Sequence, residues 1–187
     1  MRTSETHPLE IDVVAAAGGG RIGMTFCPGK VQPTAMTGGW SRDLEADLAA
    51  IADAGADTLV TLVEAQELTD LRVPDLGARA GAAGLAWWHL PIVDQGVPDP
   101  AWEARWCDRD GPALHARLDA GALVVVHCKG GLGRTGLVAA RLLVDRGVPP
   151  EEAITAVRAA RRRPDAKRLT IENAAQESWV RAIARRR

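Results

Sequence analysis

Tyrosine is absent from the 187 residues and phenylalanine occurs once. Of the 47% hydrophobic fraction, 33 residues are Ala, so the bulky part of any core must come mainly from Val, Leu, Ile and six Trp. Cysteine is scarce and odd in number, at positions 27, 107 and 128, with no Cys-x-x-Cys pair and no Cys/His cluster at metal-ligand spacing. That argues against a disulfide framework and a structural zinc site. The longest bulky apolar run, Leu123 to Val126, is far too short to cross a bilayer. The polar segment Met1 to Pro8 lacks the apolar stretch of a signal peptide. The expectation is a reducing, cytoplasmic location without membrane insertion. Lysine is also rare, three against 20 Arg, which together with the Ala content points to a GC-rich bacterial source.

No charge sign dominates: 23 basic and 24 acidic side chains give a net charge of −1. A charged share of 25% excludes wholesale disorder. The balance is uneven along the chain. Residues 1–120 carry 9 basic and 18 acidic groups, net −9, and residues 121–187 carry 14 and 6, net +8. Such a split either marks a site for an anionic partner or means that the two parts neutralise each other in the fold.

The length fits one domain, expected to span 1–187 with a core over about 20–182. Leu9–Ala17 and Arg21–Cys27 read as strands joined by Gly18-Gly19-Gly20. Ser41 is a candidate cap for a helix carrying Leu44, Leu48 and Ile51, closed by Gly55. Asp57–Val63 and Leu85–Leu90 read as strands around broken helical material at 64–83. Pro91 to Pro100, with three Pro and one Gly, is an irregular loop. Residues 101–120 look helical with a break near Gly111-Pro112. Ala122–His127 is an apolar strand of the kind found at a sheet centre. A helix from about Arg134 to Arg146, apolar nearly all round, should be central and buried. Pro149-Pro150-Glu151-Glu152 opens another helix. A last helix begins near Thr170, with Ile171, Ala175, Trp179 and Ile183 on one face. The order of strands and helices implies an α/β sheet domain whose C-terminal part is all helical.

Between the apolar strand and the central helix lies His127-Cys128-Lys129-Gly130-Gly131-Leu132-Gly133-Arg134-Thr135-Gly136. Glycines let a backbone turn tightly with its N–H groups facing inward, forming an anion nest. The helix that follows adds free N–H groups and its positive dipole end. A thiol at such a nest loses its proton readily, with pKa values near helix N-termini and cations falling to roughly 3.5–7.5. Arg134 can grip two phosphoryl oxygens bidentately. Thr135 can give a hydrogen bond to the Cys128 sulfur as it leaves. Lys129, Gly130, Gly131, Leu132, Gly133 and Arg134 would form the phosphate cradle. This combination points to covalent phosphoryl transfer through phosphocysteine, with no cofactor and no metal required. The segment is not a Walker A loop, because Cys128 stands where its first Gly belongs and Arg134 replaces Lys. Gly18-Gly19-Gly20-Arg21-Ile22-Gly23 matches Gly-x-Gly-x-x-Gly but leads into a strand, so it reads as a hairpin turn.

An oxygen leaving group needs a proton donor. The 91–100 loop offers Asp94, beside Gln95-Gly96, and Asp99, which between two prolines reads as a turn or helix-start residue.

The loop resembles the signature of the protein tyrosine and dual-specificity phosphatases. The wider chain resembles the kinase-associated phosphatase branch of that family, through Pro28-Gly29-Lys30, Glu67-Leu68 with Arg72-Val73-Pro74-Asp75-Leu76, and His89-Leu90-Pro91-Ile92-Val93-Asp94. The resemblance implies the cysteine phosphatase fold, a single α/β domain with a twisted central sheet flanked by helices, with Cys128 as nucleophile and Arg134 as phosphate clamp. It implies Asp94 as general acid and then base, and Thr135 as the group assisting thiolate departure. It also implies a phosphorylated protein or a small phosphomonoester as partner. Lys129 is similar to the loop lysine of lipid phosphatases of the phosphatase-and-tensin type, which carry a second Lys where Leu132 stands. Inositol phosphates or phosphoinositides therefore stay open as substrates, as do a catalytically silent phosphate-binding module and thiol-based sulfur or arsenate transfer.

Weaker signals complete the picture. Arg158, Arg161, Arg162, Arg163, Lys167 and Arg168 form a basic cluster, read first as a solvated helix end and secondly as a steering patch. No stacking aromatics interleave with it, so no nucleic acid is expected. Cys27 and Cys107 read as buried small side chains, with a resolving role toward oxidised Cys128 as the lesser reading. Trp87, Trp88, Trp102 and Trp106 read as core, His127 as a loop-orienting group, and Asn173 and Gln176 as water-positioning or surface amides.

Overall fold

The computed structural model describes residues 1–35 and 38–183, with the Arg168 side chain also outside the description. In chain order it places β1 (Asp12–Ala15), β2 (Arg21–Phe26), β3 (Val31–Gln32), β4 (Trp40–Ser41), α1 (Leu44–Asp53), β5 (Ala56–Thr61), α2 (Ala65–Asp70), α3 (Leu76–Ala82) and β6 (Ala86–His89). These are followed by α4 (Pro100–Arg105), α5 (Gly111–Asp119), β7 (Leu123–Cys128), α6 (Gly133–Asp145), α7 (Pro150–Ala159), α8 (Pro164–Leu169) and α9 (Ala174–Ile183).

The main sheet has the order β1-β2-β7-β5-β6. Only β1 is antiparallel, turned back along β2 by Gly18 and Gly19 at positive φ. β7 pairs in parallel with β2 on one side and β5 on the other, and all six of its residues are buried. Its Leu-Val-Val-Val run is what a strand covered on both faces requires. α1 packs on β5 and α3 on β6, while α5 and α6 pack on β7. Right-handed crossovers put α1 and α3 on one face and α4 and α5 on the other, and α6 joins the latter, Arg141 meeting Glu103 of α4 at 2.7 Å, which is the expected flanked-sheet architecture. Every residue of α6 from Gly133 to Val144 is buried, as its all-round apolar pattern predicts.

Several boundaries differ from the sequence reading. Ser41 pairs with Val31 in a short β3–β4 ribbon, and Asp43 caps α1 instead, accepting from the Ala46 N–H at 2.8 Å. The helical region after Pro100 does not break at Gly111-Pro112. A single π turn at Trp106–Asp110 absorbs the proline, which lies in the first turn of α5 where its missing N–H costs nothing. The last helix starts at Ala174 rather than near Thr170, because Ile171 adopts φ 56°, and it is preceded by the short α8, which the sequence reading did not separate. Its buried face is Gln176, Trp179, Val180 and Ile183, while Ala175 is exposed. Trp102 and Trp106 are stacked in the core, with ring centroids 4.9 Å apart. Trp88 is half-buried and Trp87, on edge strand β6, is 36% exposed. Cys27 is buried, but Cys107 is exposed, while its neighbour Trp106 takes the buried face.

The basic cluster is solvated only in part: Arg162, Arg163 and Lys167 are exposed, but Arg158 and Arg161 turn inward. Arg161 is 3% exposed, and Arg158 donates to the Thr170 and Ile171 carbonyls and to Glu177. The Arg168 side chain of that cluster lies outside the described residues. The charge split resolves as neutralisation. Arg134 pairs with Glu67 and Asp94, Arg141 with Glu103, Arg146 with Asp119, and Arg161 and Arg162 with Asp12. No described helix is long and apolar enough to cross a membrane.

Candidate active site

The glycine loop joins the carboxyl end of β7 to the start of α6, at the edge of the sheet where α/β proteins place ligands. Cys128 is the last residue of β7 and is 4% exposed. Gly131 takes φ 73°, and a Cβ there would stand 2.5 Å from the Thr25 carbonyl oxygen, so only glycine fits. A Cβ on Gly133 would meet the Glu172 carboxylate. The N-cap residue of α6 is Leu132, whose side chain makes no cap. Its first-turn N–H groups are therefore left for an anion.

Cys128 lines a cavity of about 250 Å³ with Lys129, Gly130, Leu132, Gly133 and Arg134. Gly131 faces β2 instead. Thr135 is fully buried, and its hydroxyl has no hydrogen-bond partner among the described residues.

Arg134 is 1% exposed, and both of its terminal nitrogens have partners. Its Nη1 donates to Glu67 at 2.6 Å and to the Ile92 carbonyl at 3.0 Å; its Nη2 donates to Glu67 at 2.9 Å and lies 2.8 Å from Asp94. Burial disfavours its charge, but Glu67, Cys128 and Asp94 more than offset that and raise its pKa. Asp94 is half exposed, on the loop after β6. That loop is tied down by the start of α9: Asn173 donates to the Gln95 carbonyl at 3.0 Å and Gln176 to the Gly96 carbonyl at 3.2 Å. Both amides thus hold the Asp94 loop. Asp99 caps α4 through the Trp102 N–H at 2.7 Å and takes no part in the cavity.

His127 is fully buried beneath Cys128, and burial lowers its pKa to about 3, so it is neutral. Its Nε2 meets Thr61 Oγ1 at 2.8 Å, and the same oxygen accepts from the Trp87 indole. The consistent assignment has Thr61 donating to Nε2, with the imidazole proton on Nδ1, 3.4 Å from the Cys128 carbonyl.

Two supports of the site carry no local signal. Glu67 grips Arg134 from α2 across 67 positions; Glu67-Leu68 entered the family resemblance and Glu64-x-x-Glu67 is a capping box, but neither marks it as the partner of Arg134. Arg161 lies beneath the loop, donating to the Gly131 carbonyl, to Thr170 Oγ1 at 3.0 Å and to Asp12 at 3.3 Å.

A thiol seated beside a buried guanidinium at the end of a central parallel strand, under a carboxylate-bearing loop, is the arrangement of the cysteine phosphatases. Comparison with known proteins gives the same class. The family described as "Swiss Army Knife protein, DSP-PTPase phosphatase domain" matches residues 27–180. The chain belongs to this dual-specificity and tyrosine phosphatase family. It is 33% identical over 119 residues to cyclin-dependent kinase inhibitor 3 of Homo sapiens, covering 63% of this chain and 54% of that protein. To the Rattus norvegicus protein it is 32% identical over 124 residues, covering 64% and 56%. The chain thus spans little more than half the length of these curated relatives. A kinase-associated phosphatase with its catalytic-site cysteine replaced by serine superposes with a TM-score of 0.81 at 25% identity, covering 96% of both chains. The active form of Tk-PTP superposes with a TM-score of 0.66 at 25% identity, covering 90% of this chain and 94% of that one.

Proposed function

We propose that the protein hydrolyses phosphate monoesters on protein Ser, Thr or Tyr side chains through a phosphocysteine intermediate. Cys128 Sγ attacks phosphorus as the P–O bond to the leaving group breaks, and Asp94 gives its proton to the departing oxygen. Water then attacks phosphorus and gives a proton to Asp94, and the P–S bond breaks. Thr135, whose hydroxyl has no other partner, donates to the departing Cys128 thiolate. Arg134 and the N–H groups of Lys129 to Gly133 hold the equatorial oxygens. Arg134 carries the reading. A buried guanidinium fixed in orientation by Glu67, beside Cys128 and beneath the α6 N-terminus, is preorganised for a tetrahedral dianion.

The substrate range extends to small phosphomonoesters. An inositol phosphate substrate is the second reading, favoured by Lys129 on the cavity wall. A single catalytic domain, a cytoplasmic location and a bacterial source rest on the sequence features given above; the curated relatives are mammalian. The test is phosphate release from a small aryl phosphate near pH 6 with chelator present, for wild type beside Cys128→Ser. Turnover confined to the wild type supports the phosphocysteine route. Equal turnover in both proteins removes Cys128 as nucleophile.

A further inference from the structure

The cavity has a second cation that the proposed chemistry does not use. Lys30 follows the Pro28-Gly29 turn after β2 and is 4% exposed. The turn is rigid: the Gly29 N–H donates to Asp47 at 2.9 Å, and Asp47 is itself gripped by Arg42 through two bonds of 2.7 Å. The Lys30 ammonium lies 4.3 Å from the Trp40 ring centroid and 4.8 Å from that of Phe26. It donates to the Lys129 carbonyl at 3.2 Å. Among the described residues that carbonyl is its one hydrogen-bond acceptor, and no carboxylate pairs with it. An ammonium has three N–H donors, so two are without acceptors. Burial without a counter-ion is costly, and it lowers the Lys30 pKa to about 8, with Cys27 and Cys128 opposing the shift.

The cavity is also polarised. Lys30, Gln32 and Lys129 line it together with Cys128, and so do two carboxylates, Asp94 and Glu172. Burial and the neighbouring Asp94 charge both raise the pKa of Glu172. A substrate with a second negative group is repelled by the carboxylates and attracted to the lysines.

We propose that Lys30 anchors a second anion subsite beside the phosphate cradle, selecting phosphomonoesters that carry another acidic group near the scissile phosphate. This rests on the reading that the cavity takes a phosphomonoester. Lys30 is placed as a specificity-determining residue: its neighbours Trp40 and Phe26 fix the ammonium by cation–π contact, leaving its free donors for the ligand.

The test compares kcat/KM for 3-carboxyphenyl phosphate and phenyl phosphate in wild type, Lys30→Met and Lys30→Arg. Expected is a preference of about tenfold for the carboxylated ester in wild type, the size of one charge-assisted hydrogen bond. The ratio falls toward one in Lys30→Met and is restored in Lys30→Arg. It also falls in wild type between pH 7 and pH 9, as Lys30 loses its proton near pH 8, but not in Lys30→Arg. Cys27, Cys128, Arg42, Arg163, Lys129, Arg134, Asp94 and Glu172 also face this region, and the Lys30→Arg control separates their titration from that of Lys30. A wild-type ratio near one, or a ratio unchanged in Lys30→Met, overturns the proposal. The wild-type pH series stands even where Lys30→Met fails to fold. Should neither ester be turned over, calorimetric titration of both into Cys128→Ser separates the two ideas. Tighter binding of the carboxylated ester supports the subsite and condemns the catalytic reading; equal binding overturns the subsite.

Discussion

Glu67→Gln removes one charge from the site at nearly constant volume. Arg134 would lose its bidentate partner while keeping Asp94 and the Ile92 carbonyl. Breaking a fully buried ion pair costs about 3–5 kcal/mol. The Glu67 side chain is 15% exposed and the guanidinium keeps other acceptors, so the expected loss is about 2–3 kcal/mol, below the fully buried case. For a chain of this size that is a Tm decrease of roughly 5–10 °C. The pH dependence is specific. Burial favours the protonated carboxyl of Glu67, but the Arg134 hydrogen bonds and the Glu64 N–H outweigh it and lower the pKa. A depressed folded-state pKa gives stability that is present above the unfolded value, about 4.3 for glutamate, and lost as pH falls through the folded one. The Tm gap between wild type and Glu67→Gln should therefore be full at pH 7 and close below about pH 4. Kinetically, a guanidinium free to swing costs roughly a factor of 10² in kcat/KM. The assay is thermal unfolding from pH 3 to 8 with aryl phosphate turnover alongside. A Gln variant that melts and turns over like wild type at pH 7 would refute the claim that Glu67 fixes the clamp.

Asp94→Asn should lower kcat by about 10²–10⁴-fold, more for phosphoserine peptides than for aryl phosphates, because alkoxide leaving groups depend more on the proton. Arg161→Met leaves the Gly131 carbonyl and part of the Asp12 charge without a partner. The expected loss is about 3 kcal/mol, read by urea unfolding. Gly131→Ala should unfold or strongly destabilise the protein, whereas Gly130→Ala, where an added Cβ meets nothing within 4 Å, should melt near the wild-type temperature. Iodoacetamide at pH 7, followed by mass spectrometry, should modify exposed Cys107 and spare Cys27, whose thiol pKa is raised by burial, until the protein is unfolded.

The parts of the fold legible in the sequence were those whose signal is local. The Leu-Val-Val-Val run, the three loop glycines and the apolar α6 pattern each state their environment within a few residues, and together they locate Cys128 and Arg134. Asp94 and Asp99 could be sorted because proline flanks mark a helix start. What escaped depends on distant partners. Glu67 becomes a site residue only when α2 meets α6, and Arg161 belongs to a charged cluster until the sheet brings Asp12 and Gly131 to it. Lys30 looks like a loop lysine until Trp40 and Phe26 close around it. Cys107 was misjudged because Trp102, Trp106 and Asp110 take the buried face of that helical stretch and leave Cys107 off it, which the composition does not reveal.

The position of β7 has a consequence for how the chain reaches this state. It is the last strand in sequence yet occupies the slot between β2 and β5. During synthesis those two strands are made long before the segment that joins them, each with an unpaired edge and with no sheet to complete. The first 122 residues also lack every arginine from 134 onward that neutralises their acids. Emergence of residues 123–161 supplies the missing strand, the cradle and the counter-charges together. A nascent chain therefore holds at most the separate β1–β2 and β5–β6 pairs and an excess of acids until the strand, the thiol and the counter-charges arrive together.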